Sequence, residues 1–318
     1  MCAMSIRLVM LWGAVAGATV LATACGQLSE PASGDRGGLP PAPWTIAHRG
    51  ASAYAPENTV PAFTLGAAQG AQFVEIDLQR TKDGHLVVLH DFTLDRTTDV
   101  ARVFPDRARP APDDPEKTPQ WWLEDFTLDE VRQLDAGSWF DATFAGTRIP
   151  TFDEVIAAVR GRTGIFIELK GPERYPGIEA DMMAELQRHG LHLRGADPAS
   201  PIVIQSFTVP SIQRLSAMKT TLPLHVLIAA RDADRWLSES GLLEIRGFAT
   251  GISPEKATLA THAAGWRRAS ELGLPNTPWT FRASTVKGYD SVTAEMAHFL
   301  ANGAIGVITD NPDQAPGH

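Results

Sequence analysis

Phe73-Val74-Glu75-Ile76-Asp77-Leu78 alternates apolar and acidic residues with a period of two. Such a run reads as a β-strand, because successive side chains on a strand point to opposite faces. Glu75 and Asp77 therefore share one face, and Val74, Ile76 and Leu78 the other. Ile165-Phe166-Ile167-Glu168-Leu169-Lys170 repeats the pattern, with Glu168 and Lys170 on one face against Ile167 and Leu169. In a parallel sheet whose apolar face is covered by helices and which closes on itself, the carboxylates must point inward.

The flanking sequence supplies those helices. Strand-like runs at Trp44–Ala47, Phe73–Leu78, Gly164–Leu169, Ile202–Ser206, Leu224–Ile228, Phe248–Ile252, Trp279–Phe281 and Ile305–Thr309 alternate with helical ones. The helical runs are Pro61–Gln69, Phe152–Arg160, Ile178–His189, Ser211–Lys219, Asp232–Glu239, Lys256–Leu272 and Val292–Ala301. A further strand at His85–Leu89 follows the Lys82-Asp83-Gly84 turn and reads as a hairpin partner. Eight barrel-type strands predict a closed (β/α)8 TIM barrel. A doubly wound open sheet competes, but no Gly-rich dinucleotide loop follows the first strand. The rhythm breaks at about 92–148, where a Pro- and Asp-rich stretch precedes Trp121-Trp122. This insertion after the second barrel strand reads either as a surface excursion or as a lid over the barrel mouth.

The 318 residues carry 28 Lys+Arg against 37 Asp+Glu, a formal net charge of -9, with a mean hydropathy of -0.10. A chain this acidic has no broad basic footprint for nucleic acid. Its two cysteines, Cys2 and Cys25, both precede the predicted barrel, which excludes a disulfide, thiolate metal site or cysteine nucleophile there. Arg7, the uncharged apolar run Leu8–Ala22 and Ala22-Thr23-Ala24 predict an export signal over 1–24. Cys25 directly after it resembles a bacterial lipoprotein signal, whose cysteine is lipidated; plain secretion with a free Cys25 is the alternative. The Gly-, Pro- and Ser-rich stretch 25–43 reads as a flexible tether to a catalytic domain at 44–318. As a coil it would span roughly 20–25 Å, enough to let the domain turn.

Glu75, Asp77 and Glu168, with no thiolate nearby, suit a hard cation such as Mg2+ or Ca2+. The alternative is an acidic strand end paired with Arg49 and Lys170. His48 and His90 each end a strand-like run and together suit a general acid/base pair, although either alone is more often a structural or surface histidine than a catalytic one. Arg49 and Lys170 would supply fixed positive charge to an anionic substrate.

These segments resemble the glycerophosphodiester phosphodiesterase family: HRG at His48–Gly50, PENT at Pro56–Thr59, ExD at Glu75 and Asp77, DGHLVVLHD at Asp83–Asp91, LDRTT at Leu94–Thr98, ELK at Glu168–Lys170 and GVITDNP at Gly306–Pro312. The resemblance spans Trp44–Pro312. It implies a (β/α)8 barrel that hydrolyses glycerophosphodiesters to glycerol 3-phosphate and an alcohol, with a divalent cation on Glu75, Asp77 and Glu168. It implies His48 and His90 as the acid/base pair, and Arg49, Lys170, Glu57 and Trp279 on the substrate side. The family uses a glycerol hydroxyl as internal nucleophile, giving a cyclic phosphate that water opens. Its seventh-strand Trp-Thr-x-Asn reads Trp279-Thr280-Phe281-Arg282 here, so Arg282 either adds a phosphate contact or points away. A phospholipase D-like activity on lysophospholipids and a catalytically silent head-group binder are the alternative functions.

Overall fold

Strands β1 (Trp44–Ala47), β2 (Phe73–Arg80), β4 (Gly164–Leu169), β5 (Ile202–Ser206), β6 (Leu224–Ile228), β7 (Gly251–Pro254) and β8 (Gly306–Thr309) form one parallel sheet. Their order is β7-β6-β5-β4-β2-β1-β8, and β3 (Leu86–Val88) pairs antiparallel with β2 as the hairpin partner. The protein is seen here in a computed structural model that describes residues 38–317, apart from 112, 113 and 115. The expected export signal over 1–24 and Cys25 lie outside the described residues.

The expected strand at Trp279–Phe281 takes a less regular form. A segment from Asn276 to Phe281 runs between β7 and β8, with parallel bridges Ile252↔Asn276, Glu255↔Trp279 and Phe281↔Thr309. Pro275 and Pro278 carry no N–H and cannot donate to a ladder, so pairing is intermittent. Their carbonyls still accept from Ile252 and Ile308 (both 3.0 Å). This eighth stave joins the two ends of the sheet and completes the (β/α)8 barrel. The expected strand at Phe248–Ile252 lies later, at Gly251–Pro254, because Phe248 and Ala249 are still bonded to the preceding helix through Ile245 O. The helix expected over Asp232–Glu239 stops at Trp236, and a separate helix, Glu239–Arg246, starts with Ser238 capping Gly241 N–H.

Strand parity sorts the core into two layers. Val74, Ile76, Leu78, Ile165, Ile167 and Leu169 join the large cluster between sheet and helices. Trp44, Ile46, Phe73, Phe166, Val203 and Ile308 fill the barrel interior. His225 lies in the interior too, and burial pushes its pKa down to about 3. A Cβ on Gly251 would lie 2.4 Å from its Nε2, so only glycine fits at that position. Above this apolar plug the inward positions become polar: Glu75, Asp77, Glu168 and Gln205.

The insertion is a packed subdomain rather than a loose excursion. Leu94, Val100, Leu123, Phe126 and Val131 form a separate core that also takes in Val87 of β3. Trp122 Nε1 donates to Arg109 O (3.1 Å), and Trp121 Nε1 to Phe104 O (2.6 Å). The expected tether also changes at its end. Leu39 packs on the interior cluster, and Trp44 Nε1 donates to Pro40 O (2.9 Å). Residues 39–43 are thus fastened across the N-terminal ends of the strands, away from the mouth.

Candidate active site

The inward positions of β2 and β4 meet in register. Asp77 is the direct cross-strand partner of Glu168, and Glu75 that of Phe166. Ligand atoms of Glu75, Asp77 and Glu168 all lie within 4.8 Å of one another, and all three residues are buried. Two cations stand beside them: Lys170 Nζ lies 2.8 Å from Glu168 and 3.7 Å from Asp77, and Arg49 Nε lies 3.4 Å from Asp77. The paired-cation alternative is therefore realised in part, but three carboxylates against two cations leave a buried excess of negative charge.

That excess shows in the proton affinities. Burial, then the charges of Asp77 and Glu168, push the Glu75 carboxyl well above the usual range. Burial also raises Glu168. Against the upward push of burial, Lys170 and Arg49 hold Asp77 far below its usual value. A hard divalent cation is the partner that would let all three ionise together. An oxygen-only donor set of this size and charge fits such an ion.

Backbone geometry aims the first loop at the same point. Arg49 (φ 55°) and Gly50 (φ 81°) both adopt left-handed conformations immediately after β1. The turn presents the Arg49 N–H to Glu75 Oε2 at 2.8 Å. A Cβ on Gly50 would lie 2.5 Å from the Ala62 carbonyl carbon, which explains the glycine of His48-Arg49-Gly50. Asn58, also left-handed (φ 57°), donates from Nδ2 to Asp77 Oδ2 at 2.7 Å.

Each histidine is held through Nδ1 by an aspartate. His48 donates from Nδ1 to Asp310 Oδ1, and His90 from Nδ1 to Asp91 Oδ1, both at 2.6 Å. A carboxylate only accepts, so it places the proton on Nδ1 and leaves each Nε2 for chemistry. Burial and Arg49 lower the His48 pKa, partly opposed by Asp310. A second arginine steadies each aspartate: Arg282 Nε donates to Asp310 Oδ2 (2.7 Å), and Arg96 Nε to Asp91 Oδ2 (2.6 Å). Arg282, left open in the sequence, thus serves the His48 side. Glu57, expected on the substrate side, bridges two cations: it accepts from Arg49 Nη1 (2.8 Å) and from Arg96 Nη2 (2.7 Å).

His48, Arg49, Glu75, His90, Glu168 and Lys170 line one cavity of about 380 Å³ at the C-terminal ends of the strands. Trp279 forms its far wall, edge-on to Phe207 with centroids 5.5 Å apart. Residues not singled out in the sequence share that wall. Lys256 is paired with buried Glu295 at 2.7 Å, and the buried Oε1 of Gln205 has no partner among the described residues. Gln205 had a signal, since it shares strand parity with the inward-facing Val203.

The sequence profile described as the glycerophosphoryl diester phosphodiesterase family matches residues 48–314, from His48 to just past Asp310. The chain belongs to that family. It is 32% identical over 277 residues to the glycerophosphodiester phosphodiesterase of Bacillus subtilis, covering 85% of this chain and 84% of that one. It is 31% identical over 272 residues to a glycerophosphodiester phosphodiesterase of Caldanaerobacter subterraneus, covering 84% and 94%. Among solved structures, a glycerophosphodiester phosphodiesterase of Agrobacterium tumefaciens superposes with a TM-score of 0.62 at 26% identity, covering 85% and 97%. A phosphodiesterase of Oleispira antarctica, solved with sn-glycerol-3-phosphate, shares the fold with a TM-score of 0.63 at 23% identity, covering 86% and 95%.

Asp310 is the site residue whose role sequence spacing could not reveal, and it carries a prediction. Asp310→Asn should lower kcat by about 10- to 100-fold, the usual cost of losing such an outer partner. Because Asp310 raises the His48 pKa, the limb of the pH–rate profile that follows His48 should also move to lower pH. An unchanged limb in steady-state pH profiles would show that Asp310 does not act through His48.

Proposed function

We propose that this family member hydrolyses glycerophosphodiesters to sn-glycerol 3-phosphate and an alcohol, using Ca2+ or Mg2+ on Glu75, Asp77 and Glu168 and His48 with His90 as acid and base. The observation that carries the reading is the pair of histidines, each locked by an aspartate, around one buried carboxylate triad. When bound, the cation would offset the charge of the phosphodiester and stabilise negative charge building on its oxygens. Arg49 and Lys170 supply further positive charge to the anion and hold the carboxylates in place. In the first step a glycerol hydroxyl oxygen attacks phosphorus and its proton passes to one histidine Nε2. The P–O bond to the alcohol breaks, and the other histidine gives that oxygen a proton. Water then opens the cyclic phosphate with the two roles exchanged. Attack from within the substrate gains the proximity advantage of an intramolecular reaction.

The deciding experiment offers purified enzyme with Mg2+ or Ca2+ both glycerophosphodiesters and lysophospholipids and follows products by 31P NMR. Release of glycerol 3-phosphate from the glycerophosphodiesters supports the reading. Turnover of lysophospholipids alone would favour a phospholipase D-like enzyme, and turnover of neither a silent binder.

We also infer that Cys25 is a lipid anchor. Only twelve residues, 26–37, separate it from the described chain, which a fully extended backbone spans in at most about 40 Å. The fastened segment 39–43 meets the barrel at the end opposite the mouth. An anchor there favours a mouth turned from the bilayer and substrates taken from solution. Cys25→Ser is expected to move the protein from the membrane to the soluble envelope or extracellular fraction with catalysis intact. Mass spectrometry showing an unmodified mature Cys25 in the native host would refute the anchor.

A further inference from the structure

Five cations line the catalytic cavity, and four of them are committed. Arg49 and Lys170 stand against the carboxylate cluster, Lys256 is paired with Glu295, and Arg282 with Asp310. Lys287 is the fifth, and its ammonium has no partner among the described residues. It is exposed on the loop between the stave at 276–281 and the helix Val292–Ala301. Gly288 follows it in a left-handed turn (φ 80°), and a Cβ there would meet nothing within 4 Å. The backbone beside Lys287 thus stands in open space at the rim, and the lysine is free to meet whatever enters.

The charge around the cavity gives this lysine its weight. Glu75, Glu168 and Glu255 share the lining, and Glu57, Asp77, Glu295 and Asp310 hold the cations from behind. Arg96 and Asp91, next to Glu57, offset one another. Seven carboxylates therefore face five cations, and a divalent ion on the cluster would bring the site to neutrality. Without Lys287 the loaded site would be net negative before an anionic phosphodiester arrives, in a chain that already carries a formal -9.

We propose that Lys287 is the anion-capture residue of this site: it draws in the phosphodiester and, more strongly, retains the glycerol 3-phosphate that the reaction leaves. The proposal rests on the glycerophosphodiesterase reading and adds the residue that sets substrate capture and product inhibition. The two ligands differ in charge. The diester carries one negative charge, whereas a phosphate monoester carries nearly two above its second pKa of about 6. A fixed charge acts on each in proportion, so the factor that Lys287 contributes for the diester is roughly squared for the product. One charge pair about 8 Å apart in water-like surroundings is worth about two- to threefold.

The test compares variants at pH 8 and low ionic strength. Lys287→Gln should lower kcat/KM for a glycerophosphodiester about threefold, with the loss carried by KM, and weaken glycerol 3-phosphate binding about tenfold. That binding is read as a competitive inhibition constant and, independently of turnover, by calorimetry on the Mg2+-loaded protein. Lys287→Glu should deepen both losses, and Lys287→Arg should restore both. In 1 M NaCl, where the screening length is about 3 Å, the differences should vanish. Arg267→Glu makes the same change in net charge as Lys287→Glu. Arg267 is exposed on the helix Thr258–Glu271, roughly 13 Å along it from the end that follows Lys256, and its variant should match the wild type. Glycerol 3-phosphate affinity in Lys287→Glu within twofold of wild type would overturn the proposal. So would losses that persist in 1 M NaCl, or equal losses in Arg267→Glu. A wild type that binds glycerol 3-phosphate but hydrolyses no glycerophosphodiester would overturn the phosphodiesterase reading while the calorimetry still decides Lys287. A wild type that binds no glycerol 3-phosphate would overturn both.

Discussion

Chelation of divalent metal is expected to abolish turnover, and Glu75→Ala to lower kcat by at least ~10³-fold in saturating Mg2+ or Ca2+. A cation that stabilises phosphoryl charge is worth several kcal/mol, and each 1.36 kcal/mol is a factor of ten. The physical cause is the uncompensated charge of Glu75, Asp77 and Glu168 within one 4.8 Å cluster. The same cause predicts a linkage with pH. The folded protein without metal raises the pKa of Glu75 and Glu168, so it binds protons more tightly than the unfolded chain. Its stability must therefore fall as pH rises from the unfolded carboxylate value toward the raised folded values. The depressed Asp77 acts oppositely, but only below its unfolded value near 4. Bound metal removes the penalty, so the rise in Tm on adding Mg2+ or Ca2+ should be larger at pH 7.5 than at pH 5. Calorimetry with and without chelator checks this, and Glu75→Gln should flatten the difference. Full activity with metal content near zero would rule out a cation at this cluster.

The second large effect concerns the histidines. His48→Ala and His90→Ala should each lower kcat by on the order of 10²-fold or more with a glycerophosphodiester of an alkyl alcohol, while metal still binds. The two should differ when the leaving group is p-nitrophenol, whose anion departs with little help from an acid. The variant lacking the acid should then recover much of its loss and the variant lacking the base should not. With His48 as the base, activity should fall as pH drops through its pKa, because a protonated base cannot accept the hydroxyl proton. Burial and Arg49 place that limb below the ordinary imidazole value. Equal rescue of both variants would show that the division of labour is wrong, and wild-type turnover by His90→Ala at every pH would remove it from catalysis altogether.

Much of this site is legible in the sequence. Strand parity alone put Glu75 and Asp77 on one face and Glu168 with Lys170 on another, because side-chain direction on a strand depends only on local backbone geometry. Alternating strands and helices carried the barrel for the same reason: hydrophobic period is a short-range property. Resemblance in His48-Arg49-Gly50 and its companion motifs supplied the chemistry that period cannot.

Register and long-range partnership were not legible. Nothing local says that Asp77 pairs with Glu168 across β2 and β4, or that Asp310 reaches His48 across 262 positions of chain. Both follow from closure of the barrel, which brings the C-terminal ends of distant strands around one axis. Arg282 could not be assigned while the position of Asp310 was unknown. The resemblance gives Glu57 as a substrate-side residue, and nothing local says that the insertion brings Arg96 beside it. The stave at 276–281 reads poorly as a strand because its prolines cannot donate, and only the flanking β7 and β8 hold it in line. Composition and period thus specify which faces are apolar and which residues can do chemistry, whereas the contacts that orient those residues exist only once non-local strands close the ring.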